Sequence, residues 1–279
     1  MSRSKLYSEA LTFFQVIRRV LIHIFRIRPD EVVGGEILDH LQGRGFTIQP
    51  VNSKVFEICE QTTGDTYTLR KNTSDLHVFN QVIIEKEYRM LAELVSRYSK
   101  PEAIQCIVDA GANIGLTSRY LSQVFTRAKV LAIEPGPENF SALQMNIGKR
   151  HSQIIPFQCA LWFEKTKMKI SNTFRDRREW SLQVVTDTSG VIEAVPLSEI
   201  LQRAGFAHVD MLKMDIEGAE KSLLADLAFL QALKKIKFIA IELHEEVIDK
   251  IQTINQLQSL GFELVYKGET LFGVNKTAL

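Results

Sequence analysis

Two stretches of this chain hold residues whose types and spacing could do chemistry. The first is the turn Asp109-Ala-Gly111-Ala-Asn113-Ile-Gly115, which ends an apolar run from Cys106, together with Glu134 at the end of the next apolar run. The second is a pair of acid-bearing run ends, Asp215 with Glu217 and Glu242 with His244. A strand that breaks into a glycine turn and a helix, followed by a strand ending on a carboxylate, is how an α/β sheet holds an adenosine-containing ligand at its carboxyl edge. Gly111 and Gly115 allow backbone shapes and ligand approach that a side chain would block. Glu134 falls where both ribose hydroxyls can donate to it, and Asn113 reads either as a turn residue or as a ligand contact.

The charge at the turn selects among such ligands. A nicotinamide dinucleotide needs G-x-G-x-x-G spacing and a helix N-terminus free of competing negative charge. Here the spacing is G-x-x-x-G, and Asp109 stands at the strand end, where it repels phosphate and attracts an ammonium group. S-adenosylmethionine has an ammonium, a sulfonium and no phosphate, so the turn suits it better.

Methyl transfer from a sulfonium is an in-line displacement, and an alcohol acceptor needs a base for its proton. Asp215 and Glu217 end one strand; Glu242 and His244, two apart, share a face of another. His244 is the expected base because its ordinary pKa lies near neutrality, with Glu242 or Asp215 orienting it. Asp215 is also placed to contact the ligand's ammonium. Asp215, Glu242 and His244 are chemically able to hold a divalent metal, but their spacing is not diagnostic and no metal is expected. Glu217 is either a candidate base or an acid at the start of the next helix, and Glu220 reads more simply as the latter.

These residues need a doubly covered sheet to position them. From Cys106 the pattern alternates strand and helix: strands at 106–110, 129–134 and 153–159, helices at 115–127 and 137–149. It resumes with helix 197–204, strand 209–215, helix 219–232, strand 236–244 and helix 247–260. The last strands, 263–266 and 271–274, flank Lys267-Gly268-Glu269, short enough for a hairpin, so the sheet should end antiparallel. Between 160 and 195 a polar segment with Arg175-Asp-Arg-Arg-Glu-Trp180 shows no clear periodicity and could recognise an acidic or sugar-bearing acceptor.

Residues 1–100 read as an N-terminal extension and 101–279 as the ligand-binding domain. The extension holds short strands near 55–59 and 67–69 and a helix over 82–98. Its apolar stretch from Leu11 to Ile27 carries Arg18, Arg19, His23 and Arg26, too many charges to span a bilayer, although residues 6–28 would suit a helix packed on a partner or lying on an anionic membrane. With 34 basic against 33 acidic residues, nothing global favours nucleic acid. Cys59, Cys106 and Cys159 are too dispersed for a zinc cluster or disulfide framework and read as buried thiols in a reducing, cytoplasmic setting.

Taken in order, Asp109 to Gly115, Ile133-Glu-Pro135, Leu212-Lys-Met-Asp-Ile-Glu-Gly-Ala-Glu220 and Ile241-Glu-Leu-His244, preceded by Thr73-Ser-Asp75 and Glu87-Tyr88, resemble the FkbM family of S-adenosylmethionine-dependent methyltransferases. The resemblance covers roughly residues 70–275. It implies a Rossmann-like methyltransferase sheet in the order 3-2-1-4-5-7-6, methyl transfer to oxygen, and Cys159 and Ala160 near the adenine. The expected acceptor is a hydroxyl on a sugar, glycan or other small metabolite; a homo-oligomer would be compatible. A nicotinamide-dependent oxidoreductase and a non-catalytic nucleotide-binding module are the alternatives.

Overall fold

The computed structural model describes residues 41, 44–148, 151–171, 183–186, 189–244 and 248–279. The N-terminal amphipathic segment and the Arg175–Trp180 cluster lie outside them. The chain divides into two compact units, one up to His77 and one from Val78 to Leu279.

The first unit contains an antiparallel meander of β1 (Phe46–Pro50), β2 (Val55–Glu60) and β3 (Thr66–Arg70). Alternation along β3 buries Tyr67 and Leu69 and turns their neighbours outward. Arg70 closes the meander with a forked pair of bonds to the buried carboxylate of Asp75, at 3.0 and 2.8 Å.

The second unit is built on a seven-stranded sheet. Its strands are β4 (Cys106–Ala110), β5 (Lys129–Ile133), β6 (Ile154–Phe157), β11 (Met211–Met214), β12 (Phe238–Glu242), β13 (Phe262–Lys267) and β14 (Thr270–Asn275). They lie in the order β13-β14-β12-β11-β4-β5-β6, all pairs parallel except those of β14. Ranked by position in the chain this is 3-2-1-4-5-7-6, the Rossmann-like methyltransferase arrangement. Every residue of β4 and β11 is buried, as strands covered on both faces require.

Four expectations about elements need correction. Residues 160–195 contain a second sheet, β7 (Ala160–Leu161), β8 (Thr166–Ser171), β9 (Gln183–Thr186) and β10 (Ile192–Val195), in the order β7-β10-β8-β9. Its signal is faint because lysines flank Met168, the buried residue of the Thr166-Lys-Met-Lys run. The helix expected over 82–98 is instead a π-helix at Asn80–Ile84 and a helix α1 at Arg89–Tyr98, parted where Lys86 takes φ +52°. α1 buries Leu91, Leu94 and Val95 and packs on β12 and β14, and the break delivers Glu87 and Tyr88 to the ligand cavity. The helix expected over 219–232 is split into Glu220–Ala225 and Leu227–Leu233, because the Asp226 carboxylate caps the second piece by accepting from the Phe229 N–H at 2.7 Å. Cys59 is only half-buried, whereas burial pushes the Cys106 and Cys159 thiols up to about 12. Among the described residues no helix is long and apolar enough to cross a membrane.

Candidate active site

The carboxyl ends of β4, β5, β11 and β12 open onto a cavity of about 670 Å3. Glycine makes its floor possible. Gly111 leaves β4 at φ +76°, and a β-carbon there would stand 1.7 Å from the Asp215 carbonyl oxygen. The chain can thus bring β4 and β11 together under the cavity only without a side chain. The turn is closed by its own N–H groups: those of Gly111 and Ala112 donate to Ile133 O at 3.0 and 2.9 Å, and that of Gly115 to Ala112 O at 2.8 Å. Asn113, at φ +48°, donates its N–H to Glu134 Oε2 at 2.9 Å. Helix α2 (Leu116–Val124) starts directly after Gly115.

Glu134 sits past the end of β5, its other oxygen accepting from Gly136 N–H at 2.8 Å. Burial raises its pKa to about 7, against the pull of these two N–H groups. Glu134 lines the cavity, and the Asn139 side chain bonds its carboxylate as well. The side-chain oxygen of Asn113 is buried without a hydrogen-bond partner in the same wall.

Six of the residues picked out from the sequence line the cavity: Gly111, Asn113, Glu134, Ala160, Asp215 and Glu242. Three do not. Asp109 is fully buried beneath the turn, accepting from Ser118 Oγ at 2.6 Å and pairing with Lys213 Nζ at 3.3 Å, so its charge is spent inside the protein and not on a ligand's ammonium. Gly115 faces Leu143, 3.1 Å from where its β-carbon would be, and serves helix packing. His244 is wholly buried behind the cavity wall. Its Nε2 lies 3.2 Å from Glu217 and its Nδ1 3.2 Å from Glu220; Asp215 and Glu242 each approach Nε2 to 3.8 Å. Burial alone would lower the imidazole pKa, but Glu217 and Glu220 overcome it and raise it to about 11. His244 thus does not reach the cavity where an acceptor would lie, and the expected role of base does not fit its position.

Other groups complete the wall. Lys213, buried in β11, donates to Gly111 O at 2.7 Å and lies 3.7 Å from Asp215; burial disfavours its charge, but Asp109 and Asp215 hold it protonated above its ordinary range. Its Nζ also lies over the Tyr88 ring, 5.9 Å from the centroid. Burial and the Asp215 carboxylate push Glu242 well above the usual carboxylate range, and burial likewise raises Glu87 despite the Thr270 hydroxyl bonded to it. Lys213, Glu87 and Glu220 were not singled out as site residues from the sequence. Lysine inside an apolar strand was a usable signal for the first; Glu217 adopts φ +54° and Glu220 bonds back to Ile216 N–H at 2.7 Å, which no spacing reveals.

Fold and site together define an α/β protein whose acidic cavity opens at the carboxyl edge of its parallel strands. The chain belongs to the Methyltransferase FkbM domain family, which matches residues 109–264. It is 27% identical over 149 residues to the hexuronic acid methyltransferase AglP of Haloferax volcanii, covering 51% of this chain and 57% of that protein. It is 26% identical over 195 residues to the 2-O-methyltransferase NoeI of Sinorhizobium fredii, covering 64% and 73%. With the methyltransferase sdnD of Sordaria araneosa identity is 30% over 151 residues, covering 42% and 58%. The chain thus spans little more than half of AglP and of sdnD.

Proposed function

We propose that this chain is an S-adenosylmethionine-dependent O-methyltransferase acting on a hydroxyl of a sugar or other small metabolite. One observation carries the choice of ligand. The N–H groups of Gly111, Ala112, Asn113 and Gly115 are all spent inside the protein, so the turn has none of them left for a pyrophosphate. That disfavours the nicotinamide reading. Glu134 fits the ribose, and the unpartnered Asn113 Oδ1 together with Asp215 fits an ammonium. Ala160, small and at the cavity wall, leaves room for the adenine.

The bound donor supplies a methyl group on a sulfonium, whose carbon–sulfur bond electrons leave with sulfur. The chain's part is to align and to manage charge. The acceptor would enter between the Glu87–Tyr88 break, the Lys267–Glu269 hairpin and the acidic strand ends. Its oxygen lone pair forms the new bond to carbon, and its proton passes to the cavity-lining carboxylate of Asp215, just past the end of β11, with Glu242, held protonated, beside it at the end of β12. Asp215 also attracts the donor's cation. The names of AglP and NoeI, a hexuronic acid methyltransferase and a 2-O-methyltransferase, support a sugar-like hydroxyl.

Titration calorimetry with S-adenosylmethionine, S-adenosylhomocysteine and NAD tests the cofactor: the first two should bind and the third should not. With labelled methyl donor and a panel of glycans and polyols, Asp215→Asn should lower kcat by roughly 100-fold or more, and Glu242→Gln, which keeps a neutral hydrogen-bonding group, by less. Unchanged turnover in Asp215→Asn would remove that residue from the reaction.

The pH dependence of donor binding reports on Glu134. Ribose hydroxyls donate to the ionised carboxylate, and a carboxyl with a pKa of about 7 is protonated below neutrality. Donor affinity should therefore rise with pH up to about 7 and then level off, and Glu134→Gln should flatten the profile and cost about 1.5–3 kcal/mol of binding. The same group acts on stability with the opposite sense. Raised from 4.5 to about 7 by folding, it contributes stability below 4.5 that is lost as pH climbs through 7. Calorimetry across this range, showing no slope in the parent, would refute the ribose role.

A further inference from the structure

We propose that Asp215, Glu217 and His244 form a divalent-metal site in the acidic floor of the cavity, beside the acceptor hydroxyl. The proposal deepens the methyl-transfer reading and rests on it for where the acceptor lies.

One ligand atom from each residue lies within 4.8 Å of the other two. His244 Nε2 stands 3.2 Å from Glu217 Oε2 and 3.8 Å from Asp215 Oδ1. Nitrogen and oxygen ligands roughly 2.1 Å from an ion sit about 3 Å apart across a right angle, so small side-chain adjustments would close the set.

The histidine is held as a ligand would be. Its ring is fully buried, and its Nδ1 faces Glu220 Oε1, which is itself pinned by Ile216 N–H at 2.7 Å. A buried carboxylate behind one ring nitrogen sets the tautomer and aims the other nitrogen, the support that metal-bound imidazoles ordinarily receive. An imidazolium would explain one such contact on the cavity side and no more. Its Nε2 proton serves a single acceptor well, yet Asp215, Glu217 and Glu242 all converge on that nitrogen. Among the described residues the buried lysine nearby is Lys213, which Asp109, Gly111 O and Asp215 share. Asp109, Asp215, Glu217 and Glu220 outnumber Lys213 and His244, an excess of negative charge that a doubly charged ion offsets.

Mixed carboxylate and imidazole donors suit first-row ions such as Mn2+, Fe2+ or Zn2+ better than calcium, which takes oxygens alone. Such an ion would bind the acceptor oxygen and acidify it, the hydroxyl proton passing to the free oxygen of Asp215 while the acceptor oxygen keeps its bonding pair for the methyl carbon.

The test uses the full chain, stripped with chelator and dialysed, titrated with Mn2+ while the electron paramagnetic resonance signal of free Mn2+ is followed. One ion per chain is expected. Glu217→Gln should weaken it by at least tenfold, and Glu220→Gln, acting through the imidazole, by 10- to 100-fold. S-adenosylhomocysteine binding is measured on the same samples. If the parent binds S-adenosylhomocysteine and no Mn2+, the metal site is overturned and the methyl-transfer reading stands; if it binds neither, both fall. Equal Mn2+ affinity in the parent and in Glu217→Gln would place the ion elsewhere and also overturn the proposal.

Discussion

Exchanging Lys213 for methionine should destabilise the fold by about 3–5 kcal/mol, the range seen when one partner of a buried ion pair is removed. Lys213 is only 2% exposed, and its ammonium reaches Asp109, which is fully buried, and Gly111 O in the turn below the cavity. Methionine preserves most of the volume, so the loss isolates charge. It leaves Asp109 with Ser118 as its partner and Asp215 without its nearest lysine. Urea unfolding should show the loss in the midpoint with little change in slope. The second substitution Asp109→Asn, made on top of Lys213→Met, should recover part of it, because the stranded charge is then gone. If the double variant is no more stable than the single one, the Asp109–Lys213 pair is not what Lys213 contributes. Donor affinity should fall in both, since the turn loses the ammonium that ties Gly111 O to β11.

Gly111→Ala should abolish donor binding more completely than any change of a contact residue. The new β-carbon would meet the Asp215 carbonyl at 1.7 Å, and φ +76° is strained for alanine even in open space. Backbone must move, and the backbone concerned carries Asp215 into the cavity. A displacement costing about 3 kcal/mol of binding corresponds to roughly 100-fold in Kd. Gly115→Ala is the control. Its β-carbon would press only on the flexible Leu143 side chain, at 3.1 Å, and Gly115 does not line the cavity. It should lower the melting temperature while S-adenosylhomocysteine still binds to the folded protein. Equal loss of affinity in the two variants would mean that the turn's general shape, and not the Gly111–Asp215 approach, governs the site.

Much of the site was legible because its backbone logic is local. A buried parallel strand must be apolar along its whole length, so Cys106–Ala110 and Met211–Met214 announced themselves, and the glycine turn and the acids at the strand ends followed in register. The amphipathic break at Glu85–Tyr88 did not, since the periodicity of Val82 to Tyr98 is helical and only packing against the sheet interrupts it. The second sheet escaped for a similar reason: lysines on its outer face hid the alternation around Met168.

Amino-acid type and spacing by themselves determined the strand–helix alternation, the antiparallel end of the sheet, the Gly111 turn and the carboxylate at Glu134. Tertiary structure alone decided where charge is spent. Asp109 and His244 are chemically fit to meet a ligand, yet Lys213 and Ser118 absorb the one and Glu217 and Glu220 enclose the other. Local hydrogen-bonding and burial preferences act over a few residues and can be read along a chain. The field at a buried group is the sum over neighbours that lie about a hundred residues away for Asp109 and Lys213, and it exists only once the strands are side by side.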